Sequence, residues 1–277
     1  MECARNIRKE MKVVLLGAGR VSTHLQKALV KAGHEVCAVW SPTRGTTHDI
    51  NELPQDADAY IIAVKDSALQ EVIKQVANHL HTDTPSLWRG KGEALLLHTA
   101  GSMPLSVFEG KAKRYGVLYP MQTFTKEREV DFHEIPLFME ASDAEALQQT
   151  RALADSISHH VYELSTADRR YLHLAAVFAC NFTNHCYTLA ADILAQKGLP
   201  FDVMLPLIDE TARKVHELHP TEAQTGPAVR DDKNVIHSQS AMLDGTSKAI
   251  YELMSQSIHE HNIYDKLRLT EDTGHRV

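Results

Sequence analysis

Lys12-Val13-Val14-Leu15-Leu16-Gly17-Ala18-Gly19-Arg20-Val21-Ser22 is the stretch whose reading decides the fold. A short apolar run ends at two glycines one residue apart, and Val21, Leu25, Leu29 and Ala32 then recur at helical spacing, which reads as strand, tight turn and helix. In a dinucleotide-binding turn the first glycine makes the bend and the second lets the backbone approach a pyrophosphate. The phosphate charge then sits against free N–H groups at the helix N-terminus. Gly17, Ala18, Gly19, Arg20 and Val21 are therefore expected to hold a cofactor. The third fingerprint position is Ser22 rather than Gly or Ala, so the motif is incomplete, but serine is small enough for the helix to lie close to its strand.

Composition sets the outer limits. A chain of 277 residues can bury roughly three quarters of the surface it exposes unfolded, and its length suits about two domains. Charged residues make up 23% and hydrophobic ones 43%, ordinary values for a soluble globular protein. The net charge of -7 arises without acidic or basic blocks, which argues against nucleic acid as a partner. No apolar run approaches the roughly 20 residues of a membrane span, and the N-terminus lacks a signal peptide's apolar core, so a cytoplasmic location is expected. Met11 is a candidate natural start. Cys3, Cys37, Cys180 and Cys186 show no CxxC spacing and are read as reduced thiols.

Working outward, Gly33 should end the first helix, and 35–40 reads as a second strand. Its tip, Trp40-Ser41-Pro42-Thr43-Arg44, carries hydroxyls and a guanidinium where an NAD-binding fold places an acid for the ribose 2′-hydroxyl. Ser41, Thr43 and Arg44 therefore point to NADP, because a carboxylate would repel a 2′-phosphate and Arg can grip it in two places. A plain polar loop with Arg44 in water is the alternative. A buried strand at 59–64 and a helix capped by Asp66 or Ser67 follow, with Leu69, Val72, Ile73, Val76 and Leu80 on one stripe. The segment 81–93 reads as a polar surface connection in which Leu87 and Trp88 pack locally. Strands at 94–97 and 115–118 then end at His98-Thr99-Ala100-Gly101-Ser102 and Tyr119-Pro120-Met121-Gln122-Thr123-Phe124. Ligands of open parallel sheets lie outside the carboxyl ends of strands, which makes His98, Thr99, Ser102 and Gln122 candidates for the cofactor amide or a substrate. Capping of the next helix is the competing role for each. Two further strands, 135–140 and 160–164, flank a helix at 143–158. The expectation is an α/β, Rossmann-type, mostly parallel sheet over 1–164, followed by an all-α domain over 165–277.

The second half is helical. One pattern runs from 166 to 197 and stops at Gly198 and Pro200, and its middle, 172–186, is apolar on nearly every side, so it should be buried within the second domain or between subunits. His173, Asn181 and Asn184 interrupt it. On a regular α-helix Asn184 lies about 20° and Asn181 about 80° from His173, which puts the three in one sector. They face either a cofactor cleft or a satisfied polar network. Asp202, then Asp231 or Asp232, then Thr246 can cap the later helices, and between the first two lies Gln224-Thr225-Gly226-Pro227-Ala228-Val229-Arg230. Arg230 beyond a Gly-Pro turn suits an anionic substrate, with a structural turn as the alternative. The 17 histidines form no HExxH or paired Cys/His spacing, so no metal is expected.

In order, Gly17-Ala18-Gly19-Arg20-Val21, Ala63-Val64-Lys65-Asp66, His98-Thr99-Ala100-Gly101-Ser102, Tyr119-Pro120-Met121-Gln122-Thr123-Phe124, the run from His173 to Phe182, and Thr225-Gly226-Pro227-Ala228-Val229-Arg230 resemble the bacterial two-domain Rossmann-like proteins, taken for NADP oxidoreductases, whose C-terminal helical half is a domain of unknown function. That family looks related to ketopantoate reductase, pyrroline-carboxylate reductase and the deazaflavin-dependent NADP reductases, and more distantly to 6-phosphogluconate dehydrogenase. The resemblance implies cofactor contacts at Ala63, Val64, Lys65 and Thr99, a nicotinamide between the domains, and a homodimer paired through the helical domains. Two positions depart from the relatives. Where ketopantoate and 6-phosphogluconate enzymes place a Lys one turn before an Asn, this chain has Val177 before Asn181, and the His-Pro common at the strand end is Tyr119-Pro120. The expected activity is NADPH-dependent reduction of a small carbonyl or imine compound, a 2-keto acid among the candidates. His173 would be the proton donor, Asn181 would polarise the oxygen, and Ser102, Gln122 and Arg230 would orient the substrate. A dinucleotide-binding sensor or partner-binding protein without turnover, and hydride exchange with a deazaflavin, are the alternatives.

Overall fold

The structure, a computed structural model, describes residues 10–81 and 94–273, except the side chains of 81 and 265–273. Cys3 and the expected connection bearing Leu87 and Trp88 lie outside the described residues. The apolar runs form β1 (Lys12–Leu16), β2 (Glu35–Trp40), β3 (Ala59–Ile62), β4 (Leu95–His98), β5 (Tyr115–Pro120), β6 (Leu137–Ala141) and β7 (Val161–Glu163). They make one sheet in the order β2-β1-β3-β4-β5-β6-β7. All neighbours are parallel except β5 and β6. The antiparallel pair has a local cause. The link between them holds a single 3-10 turn, Phe132–Glu134, and no crossover helix to carry the chain back to the starting edge.

Helices α1 (Arg20–Lys31) and α3 (Ala144–Ile157) cover one face of the sheet, and α2 (Asp66–His81) covers the other. Val13, Leu15, Ile61 and Leu97 pack with Leu25, Leu29 and Leu153 on the first face. Val14, Leu16, Ile62 and Leu96 pack with Leu69, Ile73 and Val76 on the second. Burial on both faces is why these strands read as unbroken apolar runs rather than alternating ones. The sheet and its flanking helices confirm the Rossmann-type, mostly parallel architecture followed by helices.

The helical run begins with α4 (Thr166–Ala176), passes through a π-helical segment, Val177–Phe182, and continues as α5 (Thr183–Ala195). By compactness the chain divides at 182/183, within this run, whereas the sequence pattern suggested 164/165. The reason lies in α4, whose Thr166 and Arg169 bind groups of the β6 and β4 region. The second unit adds α6 (Leu205–Glu217), α7 (Pro220–Ala223), α8 (Lys233–Ser240) and α9 (Gly245–Thr273). The expected burial of 172–186 is absent in the single chain, where Leu174 is 51%, Phe178 63% and Phe182 50% exposed. Among the described residues no helix is long and apolar enough to cross a membrane.

His98 corrects another expectation. Its ring is fully buried, stacks on Phe108 at 5.6 Å, and takes the Ala100 N–H on Nδ1 at 3.1 Å, so it belongs to the core rather than to a ligand site. Burial, and next the Arg169 charge, push its pKa down from 6.5 to about 4. The unfolded chain therefore binds more protons between these values, and His98 contributes stability above pH 6.5 that is lost as pH falls toward 4. Between pH 7.5 and pH 5 this amounts to about 2 kcal/mol. Denaturant titrations at the two pH values should show a His98→Asn variant losing about 2 kcal/mol less than the wild type over that interval. An equal loss in both would contradict it.

Candidate functional site

The turn after β1 is shaped by one close approach. Gly17 has φ +116°, a conformation L side chains rarely adopt, and a Cβ there would lie 2.3 Å from the Ala63 carbonyl oxygen and 3.3 Å from Val64 Cγ1. Its N–H donates to Trp40 O at 2.7 Å, so the turn is wedged between the ends of β2 and β3. These strands flank β1 on opposite sides, making this the point where the strand order reverses and where doubly wound sheets take ligands. Two residues on, Gly19 caps α1; a Cβ there would meet no heavy atom of the described residues within 4 Å. No side chain caps this helix and its first turn, which includes Arg20 and Val21, carries no acid. Open backbone, uncapped N–H groups and no carboxylate fit a pyrophosphate. Ser22, 1% exposed, fills the place of the third glycine.

The β2 tip is a tied loop. Ser41 N–H donates to Thr47 O at 3.1 Å, Thr46 N–H to Val39 O at 2.7 Å, Trp40 Nε1 to His48 O at 3.2 Å, and His48 Nδ1 lies 2.8 Å from Ser41 O. Ser41 is buried, while Thr43 and Arg44 are exposed. The first acid after the tip, Asp49, is occupied in accepting the Asn51 N–H.

Beyond β3, Ala63 and Val64 line the Gly17 turn and Lys65 is exposed. The Asp66 carboxylate accepts the Ser102 hydroxyl, tying the β3 exit to the β4 exit, and Thr99 N–H donates to Ile62 O at 3.2 Å. At the β5 end Tyr119 Oη lies 3.0 Å from His173 Nδ1, with the rings edge to face at 75°. Both rings rest on Gly101, where a Cβ would come 2.6 Å from His173 Nδ1 and 2.8 Å from Tyr119 Cζ. Burial raises the Tyr119 pKa, with the Arg169 charge opposing, so the phenol keeps its proton at neutral pH. Gln122 is exposed, and its Oε1 accepts the neighbouring Thr123 N–H at 2.8 Å.

The first turn of α4, the helix that carries His173, is tied down by several hydrogen bonds. Ser165 caps the helix, accepting the Asp168 N–H at 3.1 Å. Thr166 Oγ1 donates to Glu140 Oε2 at 2.6 Å and accepts the Leu105 N–H at 3.0 Å. Arg169, one turn before His173 and 0% exposed, donates from Nη1 to Glu140 Oε2 at 2.6 Å and from Nη2 to Met103 O at 2.7 Å. Its Nε has no hydrogen-bond partner among the described residues. Hydrogen bonds from Thr166 and Arg169 outweigh burial and hold the Glu140 carboxyl below its ordinary pKa. Sequence reading missed Arg169, Glu140 and Asp66 as site groups. The only local signal was Arg169 standing four residues before His173, on the same helical face.

The sector argument does not place Asn181 and Asn184. The i→i+5 pattern of Val177–Phe182 turns each residue through less than 100°, so the angular count from His173 fails beyond Ala176, and both side chains are exposed. In the second unit Arg230 is exposed in a loop that begins at Gly226 and has Asp231 at φ 54°. That loop is fastened by Asn262 Nδ2 to Val229 O at 2.9 Å.

The sheet order and the Gly17 turn define a Rossmann-type fold. A crystal structure of a putative NADP oxidoreductase from Bacteroides fragilis is 48% identical in sequence, covers 91% of this chain and 99% of its own, and superposes with a TM-score of 0.82. The chain belongs to the family of that protein. A protein from Thermotoga maritima, 19% identical over 92% of this chain and 99% of its own, shares the fold with a TM-score of 0.66. So does Plasmodium falciparum pyrroline carboxylate reductase, solved with NADP, at 12% identity over 90% and 98% and a TM-score of 0.53. Residues 135–258 match a domain of unknown function, DUF2520. A search of curated proteins returned no match.

Proposed function

We propose that this protein is an NADP-dependent oxidoreductase that reduces a small carbonyl or imine compound. The observation that carries this reading is the Tyr119–His173 pair seated on Gly101, beside the exits of β4 and β5. The family member from Bacteroides fragilis, named as a putative NADP oxidoreductase, supports the reaction class. Bound NADPH supplies a hydride. The task of this chain is to bind the dinucleotide at Gly17–Val21, to orient the substrate through Ser102, and to give a proton to the oxygen or nitrogen that gains charge as the hydride arrives. Protonated His173 does this with Nδ1–H held by the Tyr119 oxygen and Nε2–H free to donate. After transfer the neutral ring keeps its proton on Nδ1, and no charge is left on the phenol. Asn181, Gln122 and Arg230 remain substrate contacts of this proposal, and Ser41, Thr43 and Arg44 are its 2′-phosphate site.

NADPH oxidation against a panel of 2-keto acids, cyclic imines and a deazaflavin tests the reading. Turnover is expected on a keto acid or imine, with His173→Ala lowering kcat by on the order of a hundredfold or more. Tight NADPH binding without turnover on any member would instead indicate a sensor, and unchanged kcat in His173→Ala would remove the assigned acid. In fluorescence titrations Arg44→Ala should weaken NADPH by roughly ten- to a hundredfold and NADH by less than about twofold. Equal losses would move the 2′-phosphate elsewhere.

The same proposal includes a homodimer. Tyr171 and Leu174, three residues apart on α4, are 76% and 51% exposed in the single chain, and Phe182 at the end of the π-helical segment is 50% exposed. Apolar side chains of this size at the surface suit an interface, and a second copy can cover them by two-fold symmetry. Sedimentation should give twice the chain mass for the wild type and a monomer for Leu174→Glu; a wild-type monomer at micromolar concentration would contradict the pairing.

A further inference from the structure

Arg169 is a buried cation whose cost is not explained by stability. It is 0% exposed, pairs with one carboxylate that Thr166 also occupies, and leaves its Nε without a partner among the described residues. Such a pair can often be replaced by apolar side chains with no loss of stability, whereas removing one member alone is costly. Its reach is what an apolar group could not reproduce. The guanidinium joins the backbone of the β4 exit at Met103, the β6 carboxylate of Glu140 and the first turn of α4 at Thr166: the first segment carries Gly101, the second pairs with the strand of Tyr119, and the third begins the helix of His173. His173 stands four positions after Arg169 on the same helical face, so anchoring Arg169 anchors the backbone from which the His173 ring reaches Tyr119.

We propose that Arg169, held by Glu140, is a positioning residue that sets His173 against Tyr119 over the β4 exit, and that the buried pair is retained for this geometry. The inference rests on the oxidoreductase reading only for its effect on turnover. The charged and titratable groups around the pair are Glu140 on β6, His98 on β4, and Tyr119 on β5. The Arg169 charge acts on both His98 and Tyr119 in the sense that favours a neutral imidazole in the core and opposes the rise of the phenol. Glu140 neutralises the arginine without touching the Tyr119–His173 pair directly, so its loss should act through Arg169.

The test has two arms. In the first, the imidazole nitrogen resonances of His173 are recorded in the protein without substrate, for wild type, Tyr119→Phe, Arg169→Lys, Arg169→Met and Glu140→Gln. Tyr119→Phe marks the Nδ1 signal of a ring that has lost its partner. Arg169→Met is expected to give that same signal, Glu140→Gln to move toward it, and Arg169→Lys to stay near wild type. If Arg169→Met does not fold, Glu140→Gln carries the comparison. In the second arm, kcat in Arg169→Met falls on the order of a hundredfold while KM for NADPH stays within about twofold, and Arg169→Lys recovers some of the loss. A wild-type His173 resonance in folded Arg169→Met or Glu140→Gln would overturn the positioning role whether or not any substrate turns over. Absence of turnover in the wild type with the expected resonances would overturn the oxidoreductase reading and leave the positioning role standing.

Discussion

A single methyl group at position 17 would collide with the Ala63 carbonyl at 2.3 Å, and the arrangement of the whole sheet domain around its ligand site follows from that contact. Because the turn can close this tightly, β1 lies between β2 and β3 with its carboxyl end against both, and α1 starts immediately behind it. The helix N-terminus is thereby aimed across the place where the strand order reverses. With no acid and no side-chain cap in its first turn, that terminus offers its N–H groups to an anion. Gly101 acts in a related way after β4. The absence of a side chain there lets Tyr119 and His173 meet over the β4 exit, so two glycines, one on each side of the β3 exit, shape the floor of one site.

The fold was legible because its signals are local. Val13 to Leu16, Ala59 to Ile62 and Leu95 to Leu97 are apolar runs bounded by turn residues, and Leu69, Val72, Ile73 and Val76 recur at helical spacing, so strand and helix alternation can be read without knowing any contact. The tight turn at Gly17 was legible for the same reason. His173 was found as a polar interruption in an apolar run, but its partner Tyr119 stands 54 residues away and was seen only as a departure from His-Pro. Arg169 and Glu140, 29 residues apart, carry no mark in the sequence that separates a buried pair from two surface charges. The sector argument for His173, Asn181 and Asn184 lost its basis for a different reason. A π-helical segment cannot be counted at 100° per residue, and nothing in Val177-Phe178-Ala179-Cys180-Asn181-Phe182 announces one.

Buried polar groups divide by role. His98 is neutral and takes the N–H of its own neighbour Ala100 on Nδ1, while its buried Nε2 has no hydrogen-bond partner among the described residues, which makes it a core residue with a pH-dependent cost. Arg169 is charged, spans three segments, and stands one turn from the ring that faces the site. The contrast explains why burial alone did not distinguish them, and why the reach of each hydrogen-bond set does. Ser102 and Asp66 add a smaller tie of the same kind at the neighbouring exits, between the first residue of α2 and the residue after Gly101.

The most direct test of the account is a crystal structure of this protein grown with saturating NADPH. The account predicts the pyrophosphate on the N–H groups of Gly19 to Val21, the 2′-phosphate against Arg44, and the nicotinamide ring above Gly101 with His173 beside its reactive face. A nicotinamide ring lying away from Gly101, or no dinucleotide bound along the Gly17 turn, would contradict it.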